Sequence, residues 1–93
     1  MNYALSGEIK YEGVQGDGYL EMWNVFPPEM RAFSRTLDTS GPLGKITETS
    51  NWREFYLPFN RTGTTDPPLR LEINIMLPSR GVVFIGSVKL TQL

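Results

Sequence analysis

The chain has 93 residues, a net charge of −1, no cysteine and no histidine. Disulfides, thiolate nucleophiles, Cys or His zinc sites and imidazole general bases are therefore excluded within it. The charges are scattered and leave no footprint for nucleic acid or an anionic membrane, and no apolar run approaches the ~20 residues of a membrane span.

A chain of this length makes a single domain, residues 1–93. It buries only a modest share of its surface, which makes a partner surface plausible. Zero cysteines does not fix a compartment, because disulfide-free secreted proteins are common. No N-terminal stretch has the basic and then apolar regions of a signal peptide.

Tyr3 to Tyr11 alternates: Tyr3, Leu5, Gly7, Ile9 and Tyr11 oppose Ala4, Ser6, Glu8 and Lys10. A period of two predicts a half-buried strand. Gly13-Val14-Gln15-Gly16-Asp17-Gly18 then predicts a tight connection with positive φ. Asp17 reads as a turn residue and not as part of a calcium loop, since no further carboxylates stand at EF-hand spacing.

Tyr19 to Phe26 is apolar on both faces, as expected of a central strand or one covered by a loop or partner. Pro27-Pro28 ends it. Ala32 to Leu37 predicts a short strand with Phe33 and Leu37 inward. Arg35 shares their side and must either snorkel to the edge or pair with a carboxylate. Asp38 to Ser50 reads as a long surface connection, with one short strand around Lys45 to Thr47. Trp52 to Phe59 is again apolar on both faces. Asn60 to Pro68 is a polar loop whose Asn60-Arg61-Thr62 matches a glycosylation triplet, a pattern common by chance.

Leu69 to Leu90 is the stretch around which the rest is expected to pack. Leu69, Leu71, Ile73, Ile75 and Leu77 alternate with Arg70, Glu72, Asn74 and Met76. Pro78-Ser79-Arg80-Gly81 is a turn signal. Val82 to Leu90 is β-branched and apolar, as in a strand near the middle of a sheet. The two halves predict an antiparallel hairpin with Ile73, Ile75, Phe84 and Val88 buried.

No stretch keeps a helical period, and seven prolines punctuate the chain. The fold expected is all-β: an antiparallel, jelly-roll-like β-sandwich of about six to eight short strands. Ser50-Asn51-Trp52-Arg53-Glu54-Phe55, then a strand of alternating aliphatics, then Gly81 to Leu90 (GVVFIGSVKL), resembles the galactose-binding-domain-like β-sandwich. That group includes many carbohydrate-binding modules. The chain is short for such a domain. It carries Gly86 and Ser87 where many relatives hold an Asp pair, so the resemblance does not extend to their structural calcium. What it implies is a binding or accessory module.

Catalysis has little support in the sequence. Glu21, Glu54 and Glu72 lie on predicted strands, where carboxylates are usually solvated or paired with Arg. Serines lack a histidine base, no glycine-rich segment leads into a helix, and no cofactor or metal is implied. The expectation is a non-enzyme. For sugar binding, rings stack on C–H faces and planar polar groups take hydroxyls. Trp23, Trp52 and Tyr56 supply rings; Asn24, Arg35, Arg53 and Glu54 supply polar groups. Against this, Trp23 and Trp52 are more often core residues in a small sandwich. The other reading is an interaction module that self-associates. Two strands apolar on both faces, with Leu20, Met22, Phe26, Phe55, Leu57 and Phe59, exceed the cover one core provides, and an isologous homodimer is the default remedy.

Overall fold

The computed structural model describes residues 2–28, 30–61 and 66–93. Glu29, and Thr62 to Thr65 of the polar loop with the last residue of the glycosylation triplet, lie outside the described residues. The described chain forms an antiparallel sheet of five strands: β1 (Asn2–Phe26), β2 (Met30–Arg35), β3 (Ile46–Asn60), β4 (Arg70–Met76) and β5 (Val82–Gln92).

The organising element is β1, not the predicted hairpin. The two stretches expected as separate strands, Tyr3–Tyr11 and Tyr19–Phe26, are arms of one strand of 25 residues. Straight, such a strand would span about 80 Å, yet the longest dimension of the molecule is 41 Å. It therefore bends. The bend lies in the glycine stretch, where the pairing with β3 shifts register between Tyr11 and Val14 and again between Val14 and Gly18. Gly16 there has φ 81°, a left-handed conformation that glycine adopts without penalty.

Each arm has its own neighbours. The first arm lies between β3 and β5. The second lies between β2 and β4, so its apolar residues on both faces suit a central strand. Among the described residues no ladder joins β4 to β5. The predicted hairpin is thus corrected: residues 77–81 carry the chain from one arm to the other, following the bend of β1. Gln15 N–H donates to Arg80 O at 2.9 Å, and Pro78 packs so closely that a Cβ on Gly16 would come within 2.8 Å of it.

The core draws on both arms. Ile9, Leu20, Met22, Ile46 and Leu57 are fully enclosed, with Tyr3, Leu5, Tyr11, Val14 and Phe55 around them. The expected core of the second half is corrected. Ile73 and Ile75 are each 41% exposed, Phe84 45% and Val88 54%. Ile73 and Ile75 do take the inward side, opposite Met22 and Leu20, but they stand on a flanking strand at the margin of the core. Phe84 faces the other way, opposite Lys10, and Val83 and Ile85 pack inward instead. A one-residue slip in the predicted register accounts for this. The strand Val82–Leu90, expected near the middle, has β1 as its one described neighbour.

Six apolar residues were expected to need a partner's cover. Five of them, Leu20, Met22, Phe26, Phe55 and Leu57, are buried within the chain, and Phe59 packs against the core. Phe59 lies 5.6 Å from the Tyr3 ring and 5.9 Å from the Phe26 ring.

Candidate functional site

A cleft of about 520 Å³ opens on the first arm of β1. Its floor is β1 itself, at Ser6, Gly7 and Glu8. A Cβ at Gly7 would sit 2.9 Å from the Phe55 ring and 3.1 Å from Gly86 O, so enlarging this residue would force its neighbours to shift. β3 lines one side with Glu54, Phe55 and Tyr56, and β5 the other with Ser87 and Lys89.

Alternation explains who shares this side of the sheet. Ser6 stands opposite Tyr56 and Lys89, and Glu8 stands opposite Glu54 and Gly86. Between these two rungs β5 carries an extra residue, which makes a bulge. Ser87 in the bulge has φ 53°, an uncommon conformation for a residue with a side chain. Strain of this kind persists where the surroundings hold it, and here it accompanies a residue that lines the cleft.

The outer wall is the loop 38–45, through Asp38, Ser40, Pro42 and Leu43. Thr36 anchors its start: the buried Thr36 Oγ1 accepts from Leu20 N–H at 2.9 Å, and Thr36 N–H donates to Leu20 O at 3.0 Å. Asp38 N–H donates to Leu43 O and Lys45 N–H to Asp38 O, closing the loop on itself. Tyr56 N–H then donates to Pro42 O at 2.8 Å, so the loop covers the free edge of β3.

Arg53 clamps this loop. Nη1 donates to Gly41 O at 3.3 Å and Glu54 O at 3.1 Å, and Nη2 donates to Gly44 O at 3.0 Å and Lys45 O at 3.1 Å. Nε donates to the Tyr11 hydroxyl at 3.1 Å. A guanidinium has five N–H donors, and all of them are used. Arg53 shapes the cleft wall from behind and has no donor left for a ligand.

The other sequence-predicted residues separate into three places. Tyr56 lines the cleft. Trp52 stands beside it, 49% exposed; its ring reaches Gly86, the residue opposite Glu8, where a Cβ would touch it at 3.6 Å. Trp23, on the second arm, and Arg35, on β2, lie on the side shared by Glu21, Phe33 and Asn74. There Trp23 Nε1 donates to Glu21 Oε1 at 2.7 Å, and Arg35 stacks 3.9 Å over the Phe33 ring. Asn24 is 0% exposed. It accepts from the Tyr3 hydroxyl and donates to Met22 O and Ala32 O, so it satisfies the core and does not reach a surface.

Residues the sequence reading passed over are Ser6, Glu8, Asp38, Ser87 and Lys89. Glu8 stood on the polar side of its alternating strand, which marked it as exposed but not as a neighbour of Glu54. Asp17, at the far bend, pairs with Lys45 at 3.0 Å. Among the described residues no group of three or more acidic side chains is arranged to hold a metal ion.

Comparison with protein-family models, with curated proteins and with solved structures finds no significant match.

Proposed function

We propose that this chain is a non-catalytic carbohydrate-binding module, built as a jelly-roll-like sandwich, with its site at the cleft on the first arm of β1. The observation that carries the reading is the pairing of an exposed Trp52 ring with a cleft beside it that carries acidic and hydroxyl side chains in its lining. A half-exposed indole offers a face for sugar C–H groups, and Tyr56 adds an aromatic wall. Carboxylates and hydroxyls from Glu8, Glu54, Ser6, Ser40 and Ser87 stand ready for ring hydroxyls. The volume falls within the roughly 300–1,000 Å³ of small-ligand sites. Glu8 and Glu54 are both exposed, whereas glycoside hydrolysis needs one carboxyl group in an apolar pocket as general acid. The sandwich reading rests on the shared core, since the two arms of β1 close on the same apolar side chains.

Calorimetric titration against a panel of mono- and oligosaccharides tests this reading. At least one is expected to bind, and Trp52→Ala is expected to abolish that binding without lowering the denaturation midpoint by more than a small amount. Silence across the panel would overturn it.

A second reading is favoured by a different surface. Ile73, Ile75, Met76, Val82, Phe84, Val88 and Leu90 on β4 and β5 are all more than 40% exposed. They lie on strands that flank different arms of β1, and apolar side chains left open on such flanking strands suit a partner's cover. Self-association as an isologous homodimer through these flanking strands would cover them. Light scattering over a range of micromolar concentrations separates the two: a mass that stays at 10.6 kDa removes the homodimer.

A further inference from the structure

We infer that two copies of this chain pair edge to edge through residues 82–86 of β5, with a two-fold axis at Phe84; this rests on the homodimer reading above. Among the described residues, β1 is the sole strand beside β5. The direction of its backbone groups follows from β3. Tyr56 N–H turns away from β1 to Pro42 O, so its partner Ser6 turns its own backbone groups toward β5. Glu8, two residues on, does the same, which makes Glu8 and Gly86 a hydrogen-bonded pair. By alternation Val83 and Ile85 then turn their N–H and C=O groups to the open edge. No backbone partner from a loop meets them there among the described residues.

The other edges carry guards that this segment lacks. On β3, Glu54 O accepts from Arg53 Nη1 at 3.1 Å, Tyr56 N–H is taken by Pro42 O, and Pro58 O accepts from Ser34 Oγ at 2.6 Å. β2 has six residues, with Arg31 and Arg35 among them. β4 has seven, and Arg70 and Glu72 form an ion pair on it. The second half of β5 is broken by the bulge at Ser87 and carries Lys89. Short strands, charges and bulges are the devices that keep sheet edges apart. Val82 to Gly86 has neither a charge nor a proline. A neutral apolar edge suits a strand of the same kind, and the same segment of a second copy is one. A net charge of −1 per chain sets little repulsion against that approach.

In antiparallel register about Phe84, Val83 of each copy meets Ile85 of the other, and each pair exchanges backbone hydrogen bonds. Phe84 meets Phe84 of the second copy at the close, non-hydrogen-bonded position, where aromatic cross-strand pairs stabilise a sheet. The ring is 45% exposed in the single chain and open to that contact. With one unguarded segment per copy, pairing closes at two and does not grow into a fibre. A contact this short is expected to be weak, with a dissociation constant on the order of 100 µM.

Sedimentation equilibrium up to about 1 mM, well above that constant, tests the inference. The parent mass is expected to rise from 10.6 kDa toward twice that value. Amide exchange at Val83 and Ile85 is expected to slow with concentration, and exchange on β4 is not. Phe84→Glu keeps Lys10 Nζ, 5.9 Å from the ring it replaces, as a neighbour for its carboxylate, so the variant is expected to fold. It is expected to stay at the monomer mass, because like charges then oppose each other across the axis. Phe84→Lys should do the same, and an equal mixture of the two folded variants should recover the dimer, which a merely damaged strand could not. A dimer that persists in Phe84→Glu, or folded variants whose mixture stays monomeric, would overturn the β5 pairing and leave the homodimer reading to other surfaces. A parent that stays at 10.6 kDa throughout would remove the homodimer itself. A monomeric parent whose Val83 and Ile85 amides are slowed by an added uncharged Val-Thr peptide would give the edge to a foreign strand, and that too would overturn the inference.

Discussion

Glu21 and Arg35 face each other across β1 and β2, with Arg35 Nε donating to Glu21 Oε2 at 2.6 Å. Of the two fates open to an arginine on an apolar side, pairing is the one realised. The carboxylate is buried and also accepts from Trp23 Nε1 and Asn74 Nδ2. Burial opposes its charge, but the hydrogen bonds from Arg35, Asn74 and Trp23, with the Arg35 charge, outweigh burial and hold the Glu21 pKa below its ordinary value. A depressed carboxylate stabilises the fold fully above the ordinary Glu range, and that contribution is lost as pH falls through the depressed value. Glu21→Gln is expected to cost about 1.5–3 kcal/mol at neutral pH, the range for hydrogen bonds to a charged group. Urea titrations at pH 7 and pH 3 should show a smaller difference between variant and parent at the lower pH.

Tyr3 gives the opposite limb. Burial pushes its phenol up to about 12, although the Arg61 charge pulls the other way. The raised value means that the native state holds the proton longer than the unfolded chain does. Its stabilisation is full below the unfolded value of about 10 and is lost as pH climbs toward about 12. Tyr3→Phe leaves Asn24 Oδ1 short of its donor inside the core. A loss of about 1–3 kcal/mol is expected at neutral pH, with a flatter decline in stability above pH 10.

Core position decides the cost of truncation. Leu57→Ala, at a fully enclosed site, should lose about 2–5 kcal/mol through transfer energy and a cavity. Ile75→Ala removes a side chain that already meets water. It should lose about 1 kcal/mol, since only its covered part contributes. Denaturation midpoints that rank the two the other way would place the core on β4.

Arg53→Lys tests the clamp on loop 38–45. One ammonium cannot reach carbonyls that a planar fork spans. Amide exchange at Lys45 and Tyr56, whose N–H groups hold the loop, is expected to speed up markedly in the variant. Saccharide affinity at the cleft should fall with it. Exchange elsewhere in β3 should hardly change, because its ladder to β1 is made backbone to backbone and does not use the Arg53 side chain.

Local chemistry was legible in the sequence, and partnership was not. Alternation gave the inward side of Tyr3, Leu5 and Ile9, and glycine placed the positive φ at Gly13 and Gly16. The same signals misled where a neighbour had to be chosen. Pro78 to Gly81 carries every mark of a hairpin turn, yet the strands on either side pair with different arms of β1. A turn residue reports its own dihedral angles, not which strand lies beyond. The cleft escaped for the same reason. Glu8 and Glu54 are separated by most of the first half of the chain, and only the ladder sets them side by side. Arg53 was recognised as chemically able, but four of the five acceptors that occupy it sit on a loop and a tyrosine no pattern links to it.

Among the described residues, each of the four ladders uses β1 as one rail, and none connects two of the other strands. A hairpin protein can begin folding at any of its turns and keep what it makes. Here β1 with β2 is the one pair close in sequence, and β2 is just six residues long. The rest must wait for residues 46–92 to find a strand made long before them. Loop-closure entropy then falls due before most contacts reward it, which places folding in the slow, roughly millisecond-to-second regime of non-local β topologies. Until that search ends, the run Val82-Val83-Phe84-Ile85 has no ladder to occupy it, and the concentration of the chain during refolding governs how much of it is recovered.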